Sequence, residues 1–144
     1  MIQRIQSIWL ALATLCFLAQ WIPSMVLVKT QSPGEGVFSD GQFLSTESLG
    51  ILIGAGVSGL LSLISIFLFK ERTFQILLAA ISSLLQLFSV IGWCFLTVSN
   101  AGKLNEFAPG PGLYVSMAGI ILIWLATRAI RKDEALIKSM DRLR

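Results

Sequence analysis

Residues 49–98 read LGILIGAGVSGLLSLISIFLFKERTFQILLAAISSLLQLFSVIGWCFLTV, two long apolar runs divided only by Lys70-Glu71-Arg72. A hydrocarbon core about 30 Å thick takes roughly 20 residues of helix. Leu49 to Phe69 and Phe74 to Val98 are each that long. So short a break between two such helices permits only a reversal, and the pair is expected to form the antiparallel hairpin at the centre of a bundle.

Two further apolar runs flank the hairpin, Ile8 to Val28 and Leu113 to Thr127. The last can take in Ala129 and Ile130, because Arg128 can carry its charge out to the headgroups along its apolar stem. The expected fold is therefore an all-α membrane protein, one domain over 1–144 built as a four-transmembrane-helix bundle. Spans are placed at about 8–28, 49–69, 74–98 and 113–130, with outer loops 29–48 and 99–112. The tail, 131–144, has helix-forming composition, so a single long helix from about Leu113 to near Leu143 is also expected.

Composition agrees. Of the 144 residues 55% are hydrophobic and 13% charged, where a soluble domain carries about a quarter; mean hydropathy is +0.79. Nothing is left over for a separate soluble core. The net charge of +3 does not suggest nucleic acid, since the basic residues crowd beside the apolar runs. Histidine is absent, and Cys16 and Cys94 sit singly in apolar stretches, so neither a disulfide framework nor a metal site is expected. Arg4 precedes the first run without a small-residue cleavage site after it, which reads as an uncleaved signal-anchor.

Orientation follows from the basic residues. Arg4, Lys70, Arg72, Arg128, Arg131, Lys132, Lys138, Arg142 and Arg144 fall on one side of the expected bundle, and only Lys29 and Lys103 on the other. Excess Lys and Arg marks the cytoplasmic side, so both ends are expected there. Trp9, Trp21, Trp93, Trp124 and Tyr114 fall near span ends, where amphipathic rings anchor. In the first outer loop, Val37-Phe38 and Phe43-Leu44 flank Ser39-Asp40-Gly41, a pattern for a small β-hairpin lid. In the second, Pro109-Gly110-Pro111-Gly112 stops one helix and redirects the chain.

Gly50, Gly54, Ser58 and Ser62 recur every four residues, with Gly56 and Gly59 alongside. Such a stripe lets another helix approach closely, and packing inside the bundle is its expected role, ahead of contact with another subunit. Thr14, Gln20, Ser82, Ser83 and Gln86 are neutral polar groups expected to bond neighbouring helices. No run carries Asp, Glu, Lys, Arg or His in its middle, whereas proton relays and voltage sensing ordinarily use one there. Gly54-Ala55-Gly56-Val57-Ser58-Gly59 matches G-x-G-x-x-G by letter but lacks the strand and turn that give the motif its meaning. No enzyme motif, catalytic residue or cofactor is expected.

In the tail, Ala129, Ile130, Leu136, Ile137, Met140 and Leu143 fall largely on one helical face, and Glu134 and Lys138 make an i,i+4 pair. A helix on the inner leaflet with its basic face toward anionic lipid is one reading; a docking helix for a protein partner is the other. The contact residues proposed for either are Arg4, Arg131, Lys132, Asp133, Glu134, Lys138, Asp141, Arg142 and Arg144.

The two ends, Met1-Ile2-Gln3-Arg4-Ile5-Gln6-Ser7 with Arg131-Lys132-Asp133-Glu134 and Ser139-Met140-Asp141-Arg142-Leu143-Arg144, resemble a family of small membrane proteins of Bacteroidota, domain of unknown function 4293. The resemblance implies a multi-pass protein of the bacterial inner membrane whose specific interactions reside in its cytoplasmic termini. It carries over no catalytic residue. The expected function is a non-catalytic accessory or scaffold subunit of a larger inner-membrane complex, touching membrane lipids, a larger integral membrane protein and, through the tail, a cytoplasmic partner. A small oligomeric channel or carrier for an uncharged solute, lined by Gln20 and Gln86, is the alternative. A lipid-active enzyme using Glu47 or Glu106 is the weaker one.

Overall fold

The computed structural model describes residues 2–32, 36–102 and 104–141. α1 (Ile2–Leu18) continues as a 3-10 turn (Ala19–Trp21). β1 (Val26–Lys29) and β2 (Gln42–Leu44) precede α2 (Leu49–Phe67). α3 (Arg72–Gln86) runs through a π-helical stretch, Leu87–Gly92, into α4 (Trp93–Asn100), forming one rod. β3 (Ala108–Pro109) then leads directly into α5 (Pro111–Asp141).

Four antiparallel rods make a ring. α1 lies between α2 and α5, and the α3–α4 rod closes the ring between the same two. The contacts fix the directions. Gly56 meets Trp21 while Gly59 meets Leu18, and Gly50 meets Trp93 while Gly54 meets Ser89. Likewise the end of α1 bonds the start of α5, and its beginning bonds the end of α5. The hairpin expected at Lys70-Glu71-Arg72 is present, with α2 stopping at Phe67 and α3 starting at Arg72.

Three helices, Leu49–Phe67, Arg72–Asn100 and Pro111–Ile137, are long and apolar enough to cross a membrane; the fourth, Ile5–Trp21, is shorter. The most apolar stretch of each long helix is only 28–39% buried. Most of its apolar surface therefore faces outward, including Ile53, Leu60 and Phe67 on α2 and Leu77, Leu84 and Phe95 on the next rod. A surface this apolar is far beyond the scattered exposed residues of a water-soluble monomer.

The first apolar run does not stay helical to Val28. Pro23 bars it: the residue before a proline is driven out of the α region, and Ile22 is extended at φ −71°, ψ 122°. The remaining Val26-Leu27-Val28 suits a strand and pairs on both edges, with β2 on one side and β3 on the other, giving the sheet order β2-β1-β3. The hairpin expected between Val37-Phe38 and Phe43-Leu44 does not form, because Val26–Lys29 takes the place of its first strand. Phe43-Leu44 pairs with Val26–Lys29, while Gly36–Phe38 forms a 3-10 turn that lays the Phe38 ring 5.8 Å from that of Phe43. Gly41, at φ +71°, makes the turn into β2.

This sheet is a lid fused to the bundle. Leu27, Val28, Phe38 and Phe43 form one buried cluster with Ile51, Val90, Val98 and Leu113 from the helices. Gly110 is what lets the second loop reach it: its N–H donates to Leu27 O at 2.8 Å, and a Cβ there would overlap the Val26 carbonyl. Pro111 then opens α5, a position that needs no N–H.

In the α3–α4 rod the buried positions Ser82, Gln86, Val90, Cys94 and Val98 recur every four residues. An α-helix would carry such a row about 40° off line at each step. The π-helical stretch, a single wide segment in which Trp93 N–H reaches Phe88 O, absorbs that drift. Neither it nor β3 was expected from the sequence. The second buried cluster, Leu10, Ala13 and Phe17 of α1 with Ala79 of α3 and Ile123 and Ala126 of α5, fills the other half of the bundle.

Candidate functional site

Each end of the bundle carries one polar tie, and the two ends use their polar groups differently. At the lid end, Gln20 Nε2 donates to Ser116 Oγ and to Gly112 O, each at 2.9 Å, and Gln86 Nε2 donates to the same Ser116 Oγ at 3.1 Å. One serine thus joins α1, α3 and α5. Ser45 Oγ adds the lid by donating to Gln20 O at 2.6 Å. All four side chains are fully buried, and Gln20 Oε1 and Gln86 Oε1 have no partner. The glutamines thus act as ties between helices, as expected, whereas Thr14, Ser82 and Ser83, expected to do the same, donate instead to carbonyls of their own helices, Leu10 O, Ala79 O and Ala80 O.

At the other end, Gln6 Nε2 donates to Asp133 Oδ2, closing α1 onto α5 across 127 residues of chain. Both side chains are 93% buried, and Asp133 Oδ1 has no partner. Asp133 continues the inward row Ala126, Ile130, Asp133 of α5, so it is a clasp between helices and not part of an exposed face. Ile130 is likewise buried in the bundle, leaving Leu136 and Ile137 as the exposed apolar part of the tail, 47% and 41% exposed. Arg131 and Lys132 are exposed beside the clasp, and Glu134 is half-buried. Arg142 and Arg144 lie outside the described residues. Arg4, Lys138 and Asp141 are on α1 and α5, but their side chains are not among those described.

The small-residue stripe of α2 is filled from within the chain. The Trp93 ring rests 3.7 Å from where a Gly50 Cβ would stand, and a Cβ at Gly54 would overlap Ser89. Gly59 admits Leu18 on the other side, at 2.7 Å from its Cβ position. Ser58 Oγ donates to Gly54 O at 2.5 Å along its own helix, and Ser62 Oγ crosses to Leu10 O of α1 at 3.3 Å. One helix therefore offers its small residues to two neighbours.

The loop carboxylates hold backbone. Glu47 Oε2 accepts from Leu44 N–H at 2.9 Å, and Glu106 Oε2 accepts from Ser32 N–H at 3.2 Å and Ser32 Oγ at 2.6 Å, stitching the two lid loops together. Among the described residues, no three His, Cys, Asp or Glu side chains converge on a point where a metal ion would sit.

Helices of this length and surface, ringed as four antiparallel rods under a small sheet, define a small helical-bundle protein of membrane character. The family model for Domain of unknown function (DUF4293) matches residues 2–143, so the chain belongs to that family. No curated protein and no solved structure gives a match. The clasp brings together the two terminal segments on which the resemblance rested. Part of what distinguishes those termini is therefore internal, Gln6 against Asp133, and the exposed remainder is Arg131 and Lys132 with the tail beyond.

Proposed function

We propose that this chain is a four-span protein of the bacterial inner membrane, with both termini in the cytoplasm, acting as a non-catalytic accessory or scaffold subunit of a larger membrane complex. The observation that carries the reading is the contrast between the ends. At the lid, the loop carboxylates, the Ser45 and Ser116 hydroxyls and the Nε2 groups of Gln20 and Gln86 are committed to bonds within the chain. At the basic end α5 runs on past its clasp, with Arg131, Lys132, Leu136 and Ile137 exposed. An apolar and basic helix end of this kind suits a groove or an acidic surface on a partner.

A length argument supports the fourth span. The apolar part of α1 with its 3-10 turn, Ile5–Trp21, extends roughly 27 Å at the usual rises, close to the roughly 30 Å of the core. Both ends on one side then follows from the antiparallel ring and the basic residues.

The test is purification of the tagged protein from its native membrane, with mass spectrometry of whatever co-purifies in stoichiometric amount. Ending the chain at Ala135 keeps the Gln6–Asp133 clasp and removes the tail. A defined membrane partner that is lost from this shortened form is the expected result. A partner held equally by both forms would take the tail out of the account.

The second reading, a small carrier for an uncharged solute, is favoured by the two unpartnered amide oxygens of Gln20 and Gln86. It predicts solute flux in liposomes that Gln86→Leu reduces.

A further inference from the structure

Between α3 and α5 a groove of about 480 Å³ opens on the side of the bundle, within the roughly 300–1,000 Å³ that small-molecule sites occupy. On α3 its wall is Ala80 and Ser83, small enough to leave the space; Ser83 Oγ donates to Ala80 O at 2.8 Å, so its hydroxyl is committed to its own helix. On α5 the wall is Ile120, Ile123 and Thr127. The rim is Trp124, Arg128 and Arg131, all exposed, with the Arg128 guanidinium carbon 5.7 Å from the Trp124 ring centroid. Among the described residues no carboxylate lines it.

We infer that this groove binds one anionic phospholipid, its acyl chain along Ala80, Ile120 and Ile123 and its phosphate on Arg128 and Arg131. Charge complementarity selects the occupant: an apolar slot ending in two guanidiniums matches a molecule that is apolar along its length and anionic at one end. The depth matches as well. At 1.5 Å per residue, Arg128 and Arg131 lie roughly 26 and 30 Å along α5 from Pro111, which is the thickness of the hydrocarbon core. Guanidinium forks hold phosphate oxygens in pairs. Trp124 holds Arg128 by cation–π contact at the level where aromatic rings favour the interface. The inference rests on the membrane placement proposed above and not on the scaffold role.

Native mass spectrometry of the detergent-purified full chain, loaded with dioleoyl phosphatidylglycerol or dioleoyl phosphatidylcholine, tests it. The wild type is expected to retain one phosphatidylglycerol in strong preference to phosphatidylcholine. Arg128→Gln with Arg131→Gln should weaken that retention roughly thirtyfold. Ala80→Phe, which fills the slot and keeps both charges, should weaken it about tenfold. Lys29→Gln, exposed at the lid end and off the groove, should leave it unchanged, and excess glycerol 3-phosphate should not displace the lipid. Equal retention of the two lipids, indifference to both groove variants, or displacement by the soluble phosphate would overturn the inference. Alkaline carbonate extraction of the native membranes separates the two failures. Release of the protein would overturn the membrane placement and the inference together, while a retained protein without lipid preference would overturn the inference alone.

Discussion

The lid end and the basic end are built from similar materials, a few polar side chains and helix termini, yet one is closed and the other open. At the lid, three strands from two loops lock over the bundle, and Ser116 collects amides from two helices. At the basic end one clasp, Gln6 on Asp133, ends the bundle, and α5 continues beyond it to Asp141. In a low-dielectric surrounding a polar group left unpaired is costly. A cluster of internal bonds therefore reads as structure, and charges left outside them read as contact surface.

The comparison can be broken by mutation, and the effects should fall in order from the lid outward. Gly110→Val drives a side chain into the Val26 carbonyl, which cannot move without opening the sheet; a loss of about 3 kcal/mol is expected in detergent unfolding. Ser116→Ala removes the acceptor shared by Gln20 and Gln86 and should cost about 1 to 2 kcal/mol in the same assay. Asp133→Ala opens the clasp at the bundle edge and should cost about 1 kcal/mol, with Asp133→Asn restoring most of it because the amide oxygen still accepts from Gln6. Lys132→Gln, fully outside the bonded set, should change stability by less than about 0.5 kcal/mol while reducing recovery of the partner. A large stability loss from Lys132→Gln, or none from Gly110→Val, would erase the distinction between the ends.

The helical framework was readable because apolar length and a three-residue charged turn leave little choice. The lid was harder. Val26-Leu27-Val28 extends the hydropathy of the first run without a break, and the only signal of a strand was Pro23. Two-residue β3 has no periodicity to read, and its pairing with β1 depends on a close approach at Gly110 that only three-dimensional contact reveals. The four-residue spacing of Gln86, Val90, Cys94 and Val98 agrees with the π-helical stretch, because in an unbroken α-helix such a row turns about 40° further from line at each step. The stripe Gly50, Gly54, Ser58, Ser62 was legible as a packing surface, but not which helices fill it. Asp133 read as one more surface charge in a charged tail; its burial depends on Gln6, 127 residues earlier, and no local pattern encodes that pairing.

The claim on which the rest depends is that the two ends face opposite sides of a membrane. With Cys16 and Cys94 replaced by alanine, single cysteines at Thr46, exposed beside the lid, and Ser139, exposed on the tail, can be probed with a membrane-impermeant maleimide. Labelling of Thr46→Cys in intact cells, with Ser139→Cys labelled only after the inner membrane is permeabilised, is the predicted result. Labelling of both in intact cells, or of Ser139→Cys alone, would contradict the account.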